Sequence, residues 1–268
     1  VGDAGDTVWA DDMSAAYERW LVPIIFEAPA DDLVARVARS APADVLELAA
    51  GTGVVTRRLV AALPSASITA TDLNPAMVTE GQGHAPGATW RQADALALPF
   101  DDASFDVVVC QFGVMFFPDR PAGFAEARRV LRPGGRLLVS AWDAVEHNAL
   151  TAAFMDAVHA VFPKDPPVFL ERTPHGYHDL ALIEADAHAA GFADAHAERC
   201  GSDSRAASPL DMARGCCLGS PMRGELEARG ADPEATAQRL AGEMASKLGT
   251  GPIAGPLAWI VLEATNAL

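Results

Sequence analysis

Residues 45–59 read VLELAAGTGVVTRRL, and the rest of the chain is placed by what this stretch must be. A short apolar run over residues 44–48 ends in a tight turn, Glu47-Leu48-Ala49-Ala50-Gly51-Thr52-Gly53, and a helical pattern over 54–63 follows at once. An apolar run of that length, closed by glycines and feeding a helix, is a strand buried in a parallel sheet. Glycines at 51 and 53 let the backbone take positive φ or approach a ligand with no side chain in the way. The turn falls at the strand's carboxyl end, which is where open α/β sheets bind their ligands.

Working outward, further strands are expected at 67–71, 89–92, 105–110 and 136–141. They alternate with helices at 75–82 and 121–131, both opening on proline. Gly134-Gly135 after Pro133 ends the last of these helices and launches the fifth strand. Beyond it the pattern is less regular: helices near 148–161 and 179–190, a Pro-rich segment at 163–174, a sixth strand at 193–200 and a seventh at 258–264. An insertion over 208–251, with helical patterns around Glu225 and over 235–248, is too long for a bare loop. The expected architecture is a Rossmann-like, doubly wound α/β fold. Its seven-stranded sheet is mostly parallel with an antiparallel last strand. One domain is expected over 1–268, with a helical lid at 1–35, a ligand-binding core at 43–143, helical caps at 144–178 and 208–251, and the sheet completed by 179–207 and 252–268.

The chain has 268 residues, half of them hydrophobic, enough for one substantial core. Thirty-six acidic against twenty basic residues leave a net charge of -16, which repels a polyanion and argues against nucleic acid as partner. Cys110, Cys200, Cys216 and Cys217 show no metal-ligand spacing, so neither structural zinc nor a disulfide framework is expected. No apolar run nears the roughly 20 residues of a membrane span, and the first residues lack a signal peptide's basic and apolar parts. A cytoplasmic protein is expected, with a homodimer as an open option.

Three polar residues mark the ends of the next strands: Asp72, Asp94 and Gln111. A nucleoside cofactor uses such positions well. Asp72 can accept hydrogen bonds from both ribose hydroxyls. Asp94 can accept from an adenine amine while the backbone at Ala95 serves a ring nitrogen, and the Met77 thioether can pack on the base.

With these residues in view, the segments VLELAAGTGVVTRRL, ATDLNPAMV, QADALALPFDDASFDVVVCQFGVMFFPD and RVLRPGGRLLVSAW resemble class I S-adenosylmethionine-dependent methyltransferases. The likeness is to the small-molecule branch that includes quinone-biosynthesis enzymes, and it spans about residues 43 to 142. It implies methyl transfer from S-adenosylmethionine, leaving S-adenosylhomocysteine, to an O, N or C nucleophile of a small-molecule acceptor. It also implies that Gly51 and its neighbours Ala49, Thr52 and Gly53 approach the methionine part and that Glu47 supports its amino group. By the same likeness Asp72 would hold the ribose and Asp94 with Ala95 the adenine, with Leu73, Met77 and Gln111 as further cofactor contacts. Ala49 stands where the family most often has its first glycine, a mild change if φ stays negative there.

Two rivals use the same residues. A nicotinamide dehydrogenase would want a third glycine at position 56, which is Thr56, and would leave Asp94 without a role. A nonenzymatic S-adenosylmethionine-binding protein would not need caps of this size. An N-P-P-Y-type motif, which marks enzymes methylating exocyclic or amide nitrogens, is absent after the fourth strand, where Cys110-Gln111-Phe112-Gly113 stands. The acceptor pocket is expected to draw on Phe112, Met115, Phe116, Trp142, His175 and Tyr177. The segment from Trp9 to Trp20 is expected to close over the cofactor, with Tyr17 as a contact. A phenol, enol or carbon acid must lose a proton, and His147, just past the fifth strand, is the first candidate base. The paired acidic and Asn pattern of a magnesium-dependent catechol methyltransferase is not seen near the fifth strand, although Asp143 and Asn148 keep that option open, and metal independence is the reading.

Overall fold

A computed structural model describes residues 11–267. Strands β1 Asp44–Leu48, β2 Ser67–Asp72, β3 Thr89–Gln92, β4 Phe105–Gln111, β5 Leu131–Trp142, β6 His196–Ala206 and β7 Ile253–Thr265 make one sheet, ordered β3-β2-β1-β4-β5-β7-β6. The pairs from β3 across to β5 are parallel, and β7 runs antiparallel to β5, as expected. The strand order reverses between β1 and β4, so the topological switch point lies where the glycine turn leaves β1.

The helices are α1 Asp11–Ala16, a π-helical segment Tyr17–Phe26, α2 Glu27–Ala38, α3 Val54–Ala62, α4 Pro75–His84, α5 Arg120–Val130 and α6 Ala149–Val161. They continue with α7 Phe169–Arg172, α8 Leu180–Ala189, α9 Pro209–Leu218, α10 Met222–Ala228 and α11 Pro233–Leu248. Local chemistry sets where several begin. Asn74, Asp119, Ser208 and Asp232 each accept a hydrogen bond from a backbone N–H in the first turn of α4, α5, α9 and α11, with proline in that turn. Each such cap is worth about 1 kcal/mol.

Several expectations change, and β6 and β7 reach beyond the 193–200 and 258–264 expected for them, β6 to Ala206 and β7 from Ile253. β5 starts at Leu131 rather than after the glycine pair. Phe105 pairs with Leu131 but Val107 with Arg136, so Gly134-Gly135 lies in a bulge inside the strand, with Gly134 at φ 79°. Asn266 holds that bulge: its backbone carbonyl accepts from the Gly134 N–H and its own N–H donates to the Gly135 carbonyl. The insertion also holds a further helix, α9, whose Gly215 lets Leu21 approach so closely that a Cβ there would lie 2.8 Å from its side chain.

The chain divides into two compact units. The core unit spans residues 28–142, 177–200 and 259–268. Its centre is the fully buried run of β1, β4, β5 and β7 side chains, including Leu46, Val108, Leu138 and Ile260. Within it Arg36 of α2 is buried and donates to Asp32, Glu198 and Glu263, joining α2 to β6 and β7. A buried guanidinium is tolerable only with such pairing. The helical unit spans residues 1–27, 143–176 and 201–258, with α9 packed on α11, on α10 and on the π-helical segment, and α6 on α11. Trp9 and the other residues before 11, where part of the expected lid falls, lie outside the described residues.

Candidate functional site

In the core unit, the carboxyl ends of β1 and β2 are tied together by one carboxylate. Asp72 Oδ2 accepts from the Gly51 N–H at 2.8 Å and its Oδ1 accepts from the Asn74 N–H at 2.9 Å. A carboxylate has about four acceptor positions, so these two bonds do not exhaust it. Burial raises the Asp72 pKa, and the backbone N–H groups of Asn74, Gly51 and Leu73 oppose that rise. Gly51 has φ 55°, and a Cβ built on it would meet nothing within 4 Å, so the peptide borders open space. Gly53 differs: it also has positive φ, but its missing side chain makes room for Trp90.

Glu47 is 1% exposed and accepts from the Thr56 hydroxyl at 2.6 Å. Burial pushes its pKa up to about 8; the Asp72 charge adds to the rise, while the Thr56 hydrogen bond and Arg57 oppose it. Such an acid stays protonated near neutrality until a cationic group arrives to pair with it. Thr56, fully buried on Glu47, occupies the position where a dinucleotide fingerprint needs glycine.

Ala49 overturns an expectation. Its φ is 52°, in the left-handed region, not negative. Its methyl group occupies the space that a side chain at Gly113 would need, since a Cβ there would lie 2.4 Å from Ala49 Cβ. The alanine is therefore strained, by about 1 kcal/mol for an L-residue in this region, and leans on the turn that follows β4. Phe112 in that turn is left-handed too, at φ 55°, and stacks on Trp142 with centroids 3.6 Å apart and planes 8° from parallel.

The other expected nucleoside contacts divide by exposure. Leu73 is 54% exposed beside Asp72, whereas Met77 is buried in α4, so Leu73 is the apolar surface open to a base. Asp94 is exposed and accepts from the Leu96 N–H through Oδ1, next to the half-buried Ala95. Thr52 and Gln111 are buried. The Cys110 thiol, pushed up to about 12 by burial, is unreactive.

Of the expected pocket residues in this unit, Phe112, Met115, Trp142 and Tyr177 are buried and Phe116 is half-buried. Met115 Sδ accepts from the Trp142 N–H at 3.4 Å. Tyr177 donates to Asp186 at 2.7 Å and carries the Arg120 guanidinium over its ring at 4.1 Å. Sequence reasoning missed Arg120.

In the helical unit, Tyr17 packs on Phe26, their rings 4.8 Å apart. His147 Nδ1 lies 2.9 Å from Asp143 Oδ2, with the His147 side chain 51% exposed and that of Asp143 1% exposed. Asp143 Oδ1 accepts from the Ala144 N–H at 2.9 Å. The backbone carbonyl of Asp143 meets His175 Nδ1 at 2.6 Å and accepts from Asn148 Nδ2 at 3.3 Å. Asn148 is committed on both sides, since its Oδ1 accepts from the Ala258 N–H. Asp143 as partner of His147 was legible as an i,i+4 spacing past the fifth strand, but was read only as a metal candidate.

Comparison with known proteins places this geometry. The pattern of the family described as "Methyltransferase domain" matches residues 45–135. The ubiquinone/menaquinone biosynthesis C-methyltransferase UbiE of Paracoccus denitrificans is 42% identical over 101 residues, covering 35% of this chain and 40% of that protein. The malonyl-[acyl-carrier protein] O-methyltransferase of Hahella chejuensis is 38% identical over 112 residues, 41% of this chain and 40% of that protein. The chain thus spans about 40% of the length of these relatives. Among solved structures, Haemonchus contortus phosphoethanolamine N-methyltransferase 2 superposes with a TM-score of 0.61 at 19% identity, covering 98% of this chain and 58% of that one, a likeness of fold. Over residues 45–135 the chain is therefore similar to a methyltransferase domain, including that of quinone-biosynthesis enzymes.

Proposed function

We propose that this chain transfers a methyl group from S-adenosylmethionine to a small molecule by in-line displacement. The observation that carries the reading is the group Glu47, Gly51 and Asp72: a buried acid suited to a cationic partner, an open glycine peptide, and a carboxylate with acceptor positions to spare. Those residues fit the cofactor's ammonium, its methionine chain and its ribose hydroxyls, and Leu73 offers its adenine an apolar face. The cofactor, when bound, supplies a methyl group already activated as a sulfonium, so the protein's work is orientation and exclusion of water. Glu47, Asp72, Asp94 and the turn at 49–53 do the binding.

His147 takes the acceptor's proton when the acceptor carries one. Acceptor choice lies with the insertions at 144–178 and 208–251, outside the matched region. The net charge of -16 supports a small-molecule partner over nucleic acid. Among the described residues no helix is long and apolar enough to cross a membrane; a cytoplasmic enzyme is the reading in keeping with that, and a homodimer is left to solution measurement. Calorimetric titration with S-adenosylmethionine, S-adenosylhomocysteine and NAD in parallel tests the whole. Micromolar binding of the first two without NAD is expected; binding of NAD alone would overturn the proposal.

A further inference from the structure

Acceptor choice also has an anchor inside the core unit. Arg120, the first residue of α5, has no carboxylate partner among the described residues, whereas Arg129 on the same helix pairs with Asp102 and Glu126. The Arg120 Nη2 donates to the Met115 carbonyl at a long 3.4 Å, and its Nε is buried with no acceptor among those residues. The guanidinium lies over the Tyr177 ring at 4.1 Å, a contact made by its face that uses none of its five in-plane N–H donors. The ring is fixed: Tyr177 is 1% exposed, and its hydroxyl, kept protonated by burial and by Asp186, donates to Asp186 at 2.7 Å. A buried donor left unmet is costly, which marks a place for a group that arrives from outside the chain.

Its location suits an acceptor. Met115 lies in the turn that follows β4, and its Sδ accepts from the Trp142 N–H at the end of β5. The same turn closes on the glycine turn after β1, where a Cβ on Gly113 would lie 2.4 Å from Ala49 Cβ. Arg120 thus stands on the β4–β5 side of the switch point, and Gly51 and Asp72 on the β1–β2 side, all within the core unit. We propose that Arg120 is a specificity-determining residue that binds a carboxylate of the acceptor, so that the acceptor is a small organic acid. The inference rests on the methyl-transfer reading. An oxygen paired with a guanidinium is a poor nucleophile, so this carboxylate is held while another atom of the acceptor takes the methyl group. A carboxylate fits better than a phosphate: its plane matches the guanidinium fork, and a dianion is repelled more by Asp119, by Asp186 and by a net charge of -16.

Proton–nitrogen spectra of the arginine-labelled full chain test this, with the Arg120 Nε–H signal identified by its loss in Arg120→Lys. Titration with benzoate should shift that signal, phenyl phosphate should do so more weakly, and benzamide should leave it in place. Arg120→Gln should lower benzoate affinity roughly 10–100-fold, the worth of a charge-assisted hydrogen bond, with no loss of thermal stability, since no ion pair is broken. With S-adenosylmethionine and matched pairs of hydroxy- or aminobenzoates and their amides, KM for the acids should rise by the same factor in Arg120→Gln, kcat should change far less, and Arg120→Lys should recover part of the loss. A benzamide shift equal to that of benzoate, or no shift with benzoate at millimolar concentration, would overturn the proposal. So would an Arg120→Gln chain that melts lower yet binds benzoate unchanged, because Arg120 would then be a packing residue. Tighter binding of phenyl phosphate than of benzoate would overturn the choice of carboxylate. The titration needs no turnover, so it decides the anion site even if the wild type fails to bind S-adenosylmethionine, the result that would instead sink the methyl-transfer reading.

Discussion

The carboxyl edge of the core unit and the Asp143–His147 pair of the helical unit are made in opposite ways. At the first, most of the geometry is backbone: Gly51 presents a peptide N–H, Asp72 ties two strand ends together, and Ala49 and Phe112 are held left-handed. At the second, the pairing is between two side chains, on a short turn between β5 and α6. A backbone-built site dictates residue types over a continuous stretch. A side-chain site needs two residues at the right spacing and leaves its surroundings free, which is why one region matches a family over residues 45–135 and the other lies outside the match.

The largest effect that would sharpen this contrast is expected from Asp72→Ala. Loss of its charge-assisted bonds should weaken S-adenosylmethionine roughly a hundredfold, about 2.7 kcal/mol, with the fold retained. Unchanged affinity by calorimetry would remove Asp72 from the site. Gly113→Ala should come next, destabilising by about 1–3 kcal/mol because its new methyl collides with Ala49 Cβ and, at 2.8 Å, with Cys110 Sγ. Part of that loss should return in the double variant with Ala49→Gly, and simple additivity in denaturant melts would show that the two positions do not interlock.

Glu47 gives a smaller effect with a definite sign. Its folded pKa of about 8 lies above the usual 4.5, so near neutrality the folded state holds a proton that the unfolded chain has lost. Its contribution to stability is complete below about pH 4.5 and fades as pH rises toward 8. Binding a cation there should expel that proton, which calorimetry at pH 7 in buffers of different ionisation enthalpy would count. The affinity should weaken by up to about tenfold per pH unit below 8. Glu47→Gln should abolish the proton release; release that persists would point to another group. Smallest is Ala49→Gly alone, expected to stabilise by about 0.5–1 kcal/mol by relieving left-handed strain; a loss of stability would mean that the methyl's packing outweighs the strain.

Strand ends, the glycine turn and the residues after β2 and β3 were legible because each answers a local demand of a buried parallel sheet. The sign of φ at Ala49 was not, because the close packing against Gly113, sixty-four residues on, is invisible in the local pattern. α9 was missed because an Ala- and Cys-containing helix among other helices needs only small, apolar packing. β5 was read short because Gly134-Gly135 looks like an end; Asn266, at the far end of the sequence, makes it a bulge.

β7 is made last of the seven strands yet lies between β5 and β6. A nascent chain from which β7 has not yet emerged therefore has a gap inside its sheet, with the β5 backbone bare on that side. Arg36 waits on the same event, since its partner Glu263 is in β7. Termination before β7 would leave a sticky strand edge and an Arg36 short of one of its three carboxylates, a truncated product marked for aggregation or proteolysis.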